Sequence, residues 1–110
     1  MDGIYKVKFT SNVHDWGEGI VVIKNGFLNG ADSGYVYRGK VTAAHNEINM
    51  IAEIVQWNGA VSSVFGTVGA FKLALNGKLE SRKKFEVKGT VMGMDSLKIS
   101  IVGTYLSTVE

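Results

Sequence analysis

From Ile4 to Thr10 the chain alternates Tyr5, Val7 and Phe9 with Lys6 and Lys8. A period of two puts the three apolar side chains on one face of a strand and both ammonium groups on the other. The same period sets Tyr35, Tyr37, Gly39 and Val41 against Val36, Arg38, Lys40 and Thr42. It also sets Phe85, Val87, Gly89 and Val91 against Glu86, Lys88 and Thr90, and then Leu97, Ile99, Ile101, Gly103 and Tyr105 against Lys98, Ser100 and Thr104. Further strands are predicted over 19–24, around Phe27 and Leu28, and over 69–75, with the last two running over 84–92 and 97–106. Asn25-Gly26, Asn29-Gly30, Asn58-Gly59 and Asn76-Gly77 tolerate positive φ, so each is expected to make a type I′ hairpin turn.

The segment from Ala43 to Trp57 fits two patterns. Met50, Ile51, Ile54, Val55 and Trp57 also match a helical stripe that Asn46 could cap. Ile, Val and Trp are strand formers, and Asn58-Gly59 follows, which favours a strand over 47–57. The run Ser62-Ser63-Val64-Phe65-Gly66 reads as one short helical turn near residues 61–66, stopped by glycine. The expected fold class is therefore all-β, a single eight-stranded antiparallel up-and-down barrel occupying residues 1–110 as one domain. Closure removes the two edges of an open meander, and Gly39, Gly89 and Gly103 permit the coiling it needs.

A barrel of eight strands is filled by side chains or holds one small ligand. The inward aromatic residues Tyr5, Phe9, Tyr35, Tyr37, Phe85 and Tyr105 either fill this interior or line a pocket, and filling is the favoured reading because such stripes are more often core. With Ile48, Met50, Ala52 and Ile54 inward, Ile51, Val55 and Trp57 fall outside beside Glu47, Asn49 and Glu53. Three apolar groups in line on an outer face are expected either to form a homodimer or partner interface or to lie under an adjacent loop.

Composition narrows the function classes. The net charge of +2 is too small for a dedicated nucleic-acid binder. Residues 78–88 do concentrate Lys78, Arg82, Lys83, Lys84 and Lys88 against Glu80 and Glu86, read as a solvated hairpin whose charges protect an exposed edge. Only Phe85 is aromatic there, so stacking with single-stranded nucleic acid is disfavoured. Cys is absent, and the opening Met1–Lys6 lacks a basic stretch followed by an apolar run. A cytoplasmic protein is expected, and no run approaches the roughly 18 apolar residues of a membrane helix.

No catalytic or cofactor motif emerges. His14 and His45 are far apart in sequence, and His14-Asp15 lacks the spacing of a metal site. Gly30-Ala31-Asp32-Ser33-Gly34 has the wrong spacing for a serine elbow and reads as a turn. Gly17-x-Gly19 lacks the third glycine and helix of a dinucleotide fingerprint. The chain is expected to be non-enzymatic, without cofactor or metal.

The ordered set Asp2-Gly3-Ile4-Tyr5, Gly17-Glu18-Gly19, Asn25-Gly26, Asp32-Ser33-Gly34-Tyr35-x-Tyr37-x-Gly39, Ser63-Val64-Phe65-Gly66 and Phe71-x-Leu73-x-Leu75-x-Gly77 resembles the GrlR-like family of small bacterial proteins, named for a negative regulator of type III secretion genes. The resemblance spans nearly the whole chain. It implies a lipocalin-like barrel, a homodimer, and restraint of a partner transcription activator through an acidic surface loop. At the matching loop this chain has Ala43-Ala44-His45-Asn46-Glu47, so His45, Asn46 and Glu47 offer a single carboxylate where the family motif alternates Glu and Asp. The leading expectation is a regulatory interaction barrel, and the alternative is a small-ligand carrier or sensor using the barrel interior.

Overall fold

Alternating inward and outward side chains build eight consecutive strands in the computed structural model, which describes residues 1–13, 16–61 and 69–110. They are β1 (Gly3–Ser11), β2 (Trp16–Lys24), β3 (Phe27–Ala31), β4 (Tyr35–Ala44), β5 (Glu47–Gln56), β6 (Ala70–Ser81), β7 (Lys84–Val91) and β8 (Met94–Ser107). Each pairs antiparallel with the next, and β8 returns to pair with β1, closing the barrel. The helical turn expected near 61–66 falls almost wholly on residues 62–68, and the His14-Asp15 pair on 14–15, both outside the described residues.

The 47–57 segment is a strand, not a helix, and register explains why. β5 pairs along its whole length with β4, from Tyr35 opposite Gln56 to Ala44 opposite Glu47, and on its other side with β6. Ile48, Met50, Ala52 and Ile54 are buried, while Ile51 and Val55 face out. A helical stripe would have buried Ile51 with Ile54 and Val55.

Two of the four Asn-Gly pairs are not turns at all. Asn25-Gly26 does turn β2 into β3, with φ of 54° and 81°. Asn29-Gly30 and Asn76-Gly77 instead lie inside β3 and β6, and Asn58-Gly59 opens the long connection between β5 and β6 rather than a two-residue hairpin. Gly77 is needed for approach, since a Cβ there would meet the carbonyl of Glu86 and come within 2.7 Å of the Val87 α-carbon on β7. Strand β6 therefore continues six residues past the predicted end at 75. The two-residue turn at the matching position between β4 and β5 is made by His45 and Asn46, with φ of 53° and 66°.

Closure also corrects the reading of the basic hairpin. β6 and β7 are each paired on both sides, so the charges at 78–88 guard no edge. They are exposed, with Lys84 beside Glu80 at 3.9 Å and Lys88 beside Glu86 at 3.5 Å. Such solvent-exposed ion pairs add little to stability.

Candidate functional site

The barrel interior has two unlike halves. Toward the end that carries the β2–β3, β4–β5 and β6–β7 turns, Tyr5, Ile23, Ile48, Phe85 and Val87 are almost fully buried. Tyr5 meets Phe85 edge to face at 5.2 Å and Tyr105 at 5.7 Å, and its hydroxyl donates to the Met1 carbonyl at 3.0 Å. Burial, then Tyr105 and Asp2, raise the Tyr5 pKa.

Toward the other end the interior opens into a cavity of about 420 Å³. The expectation of a filled interior thus holds for one half only. Of the six inward aromatic residues, Phe9, Tyr35, Tyr37 and Phe85 line the cavity, whereas Tyr5 and Tyr105 belong to the packed floor. Among the lining rings, Phe9 meets Tyr37 at 6.5 Å and Tyr35 meets Phe71 at 6.3 Å. Small residues such as Gly17 and Ala52 share the wall, and the rest is largely aliphatic, including Met50, Ile54, Leu73 and Leu75. A hollow of this size forgoes the dispersion contacts of a filled core.

One polar pair stands in this wall. Tyr37 donates its hydroxyl proton to Asp32 Oδ2, while Asp32 Oδ1 accepts the backbone N–H groups of Gly34 and Tyr35, both at 2.8 Å. The second set is an Asx turn, which an Asp before Ser-Gly makes locally. Burial first, then the hydrogen bond to Asp32 and its charge, push the Tyr37 pKa far above the ordinary 10.0. The Tyr37 hydroxyl lies over Gly19, where a Cβ would come within 2.6 Å of it. Sequence reading missed Asp32 as a site residue because it treated the 30–34 stretch only as a turn.

The segment following β5 holds this corner in place. Trp57 Nε1 donates to the Asp32 carbonyl at 3.1 Å, Asn58 Nδ2 to the Ser33 carbonyl at 3.2 Å, and the Trp57 and Asn58 backbone N–H groups to the Gly34 carbonyl. Gln56 Nε2 reaches the Val61 carbonyl at 3.0 Å, and Val61 packs on Gly34.

The three outer residues divide. Ile51 and Val55 stand on the outer face of β5, 55% and 37% exposed, with Val36 opposite Val55. Trp57 lies beyond the strand and is equally open, but its indole N–H is committed to the rim. His45, Asn46 and Glu47 are exposed at the opposite end of the barrel from the cavity rim. Among the described residues no three His, Cys, Asp or Glu side chains gather as metal ligands would.

The family described as "T3SS negative regulator, GrlR" matches residues 1–109. The chain belongs to the GrlR family. GrlR proteins are classed as negative regulators of type III secretion, so the family match concerns regulation rather than catalysis. Curated protein sequences give no match. Among solved structures, a redesigned β barrel is similar, at 17% identity with a TM-score of 0.66, covering 96% of this chain and 91% of that one. At that identity the likeness concerns the fold alone. Among the described residues of this GrlR chain no helix is long and apolar enough to cross a membrane.

Proposed function

We propose that this GrlR-family barrel is a non-enzymatic cytoplasmic regulator that restrains a transcription activator by binding it, and that it works as a homodimer joined through the outer face of β5. Family membership across residues 1–109 carries the regulatory reading. The dimer reading is supported by Ile51, Val55 and Val36, which form an exposed apolar surface on a rigid wall. Beside them Arg38 and Glu53 form an ion pair at 3.4 Å, so the face carries both signs and suits a two-fold contact with itself. With Glu47 as the one carboxylate of the 43–47 segment, steering of a basic activator to that turn is weak, and apolar contact has to carry more of the affinity. Light scattering on the eluting protein is expected to give a dimer mass for the wild type and a monomer mass for Ile51→Asp with the barrel's circular dichroism retained. A dimer that survives Ile51→Asp contradicts the interface.

A second reading is favoured by the cavity. Its volume of about 420 Å³ falls within the roughly 300–1,000 Å³ of small-molecule sites, with apolar walls and one polar pair. On this reading the barrel carries or senses a small apolar molecule. A native mass spectrum showing a copurified molecule supports it.

A further inference from the structure

The polarity of the cavity's one joined polar pair can be read from its proton count. A tyrosine hydroxyl has one proton and two lone pairs, and a carboxylate only accepts. The Tyr37 proton is committed to Asp32 Oδ2, and Asp32 Oδ1 is occupied by two backbone N–H groups. What remains toward the cavity is acceptor capacity on Tyr37 Oη and Asp32 Oδ2, together with the carboxylate charge. Among the described residues no donor reaches Tyr37 Oη. Three other polar residues border the cavity, Ser33, Glu18 and Tyr35, the last with a hydroxyl of its own. Ser33 is exposed at the rim, and Glu18 lies on the outward parity of β2, where it pairs with Lys8 at 3.7 Å.

We infer that the cavity takes a small apolar molecule whose polar end donates a hydrogen bond, a hydroxyl or an ammonium, to the Tyr37–Asp32 pair, and that it turns away a carboxylate. The inference rests on the reading that the cavity holds a ligand. A donor satisfies acceptors that are costly to leave unmatched beside an apolar wall, while a carboxylate adds like charge and no proton. Since Tyr37 holds its proton far beyond the ordinary range, the pair keeps this polarity through neutral pH. A 150 Å³ apolar cavity accommodates benzene, so a cavity of this volume admits a ligand of about 15 non-hydrogen atoms.

The test is calorimetric titration of the full chain with octylammonium, octanoate and octan-1-ol, for the wild type and Asp32→Asn. In Asp32→Asn the amide oxygen still accepts the two backbone N–H groups, but the amide NH₂ donates to Tyr37 Oη and frees its proton to point into the cavity. The wild type is expected to bind octylammonium at least about tenfold more tightly than octanoate, and Asp32→Asn to move that ratio at least about tenfold toward octanoate. Octan-1-ol, which both donates and accepts, is expected to bind both proteins. Octanoate binding the wild type as tightly as octylammonium, or a ratio unchanged in Asp32→Asn, overturns the inference while the cavity still binds octan-1-ol. Failure of the wild type to bind any of the three overturns the ligand reading itself. Should Asp32→Asn not fold, Tyr37→Phe is the second variant, with octylammonium expected to weaken several-fold and an unchanged affinity counting against the assignment.

Discussion

The ring of Phe85 lies against the α-carbon of Gly103, its cross-strand partner on β8. A Cβ at position 103 would come within 2.7 Å of Phe85 Cδ2 and meet other ring atoms more closely still. Tyr5 meets the Phe85 ring edge to face at 5.2 Å and the residue is 1% exposed, so the ring moves off Gly103 only by giving up that contact. Gly103→Ala is therefore expected to destabilise the barrel by about 2 kcal/mol, the usual cost of overpacking a filled core. Urea unfolding measures this as a lower midpoint at unchanged slope. In a Phe85→Leu background most of that increment should vanish, and a full, additive penalty there would mean that the clash lies elsewhere.

The Tyr37–Asp32 hydrogen bond predicts an alkaline limit to stability. The folded-state pKa of Tyr37 is raised by burial, by the bond to Asp32 and by its charge, so the folded protein keeps a proton that the unfolded chain sheds near the ordinary pKa of 10.0. Its contribution is fully present below pH 10.0 and declines as pH rises above it. Tyr37→Phe removes the bond and should cost about 1–2 kcal/mol at neutral pH. Above the ordinary tyrosine pKa the variant's stability should fall less steeply with pH than the wild type's. Parallel slopes in thermal unfolding measured across that range would show that Tyr37 is not the group responsible.

The β4–β5 turn gives a prediction of the opposite sign. His45 and Asn46 both adopt positive φ, at 53° and 66°, a conformation that Asn-Gly adopts with less steric cost. The double change His45→Asn with Asn46→Gly is expected to raise stability by about 1 kcal/mol. The Asn46 carbonyl would still accept from the Leu79 N–H, at 2.8 Å in the present protein, because that bond uses only backbone. A loss of stability in thermal unfolding would show that these side chains make contacts that outweigh their strain.

How far the fold could be read in advance follows from where one signal acted alone. Period-two alternation placed Tyr5, Val7, Tyr35, Tyr37, Phe85 and Val87 inward, and pairing alone was enough to close the sheet. Turns were harder, because Asn-Gly serves two purposes. At Asn25-Gly26 it supplies positive φ, while at Asn76-Gly77 the glycine serves close strand approach within β6. The cavity was harder still, since inward aromatic residues look alike in sequence whether they pack in the floor, as Tyr5 and Tyr105 do, or border the cavity, as Tyr35 and Phe71 do. Asp32 gave no sign beyond its turn, because its bond to Tyr37 depends on the Asx geometry that brings its second oxygen to the wall.

Ala52 probes the hollow half directly. It is buried and lines the cavity, so Ala52→Leu adds apolar volume where space exists. The substitution is expected to raise stability by about 1 kcal/mol, whereas the same change in a filled core costs about 1–3 kcal/mol. Chemical denaturation gives the sign.

A barrel with a packed floor and an open apolar cavity is the claim on which the ligand inference stands, and a crystal structure of the wild type under xenon pressure tests it most directly. Xenon density is expected inside the barrel, against Met50, Ala52 and Leu73, and absent from the floor around Tyr5 and Val87. Density nowhere in the interior, with the aromatic side chains drawn together across the space, would contradict the account.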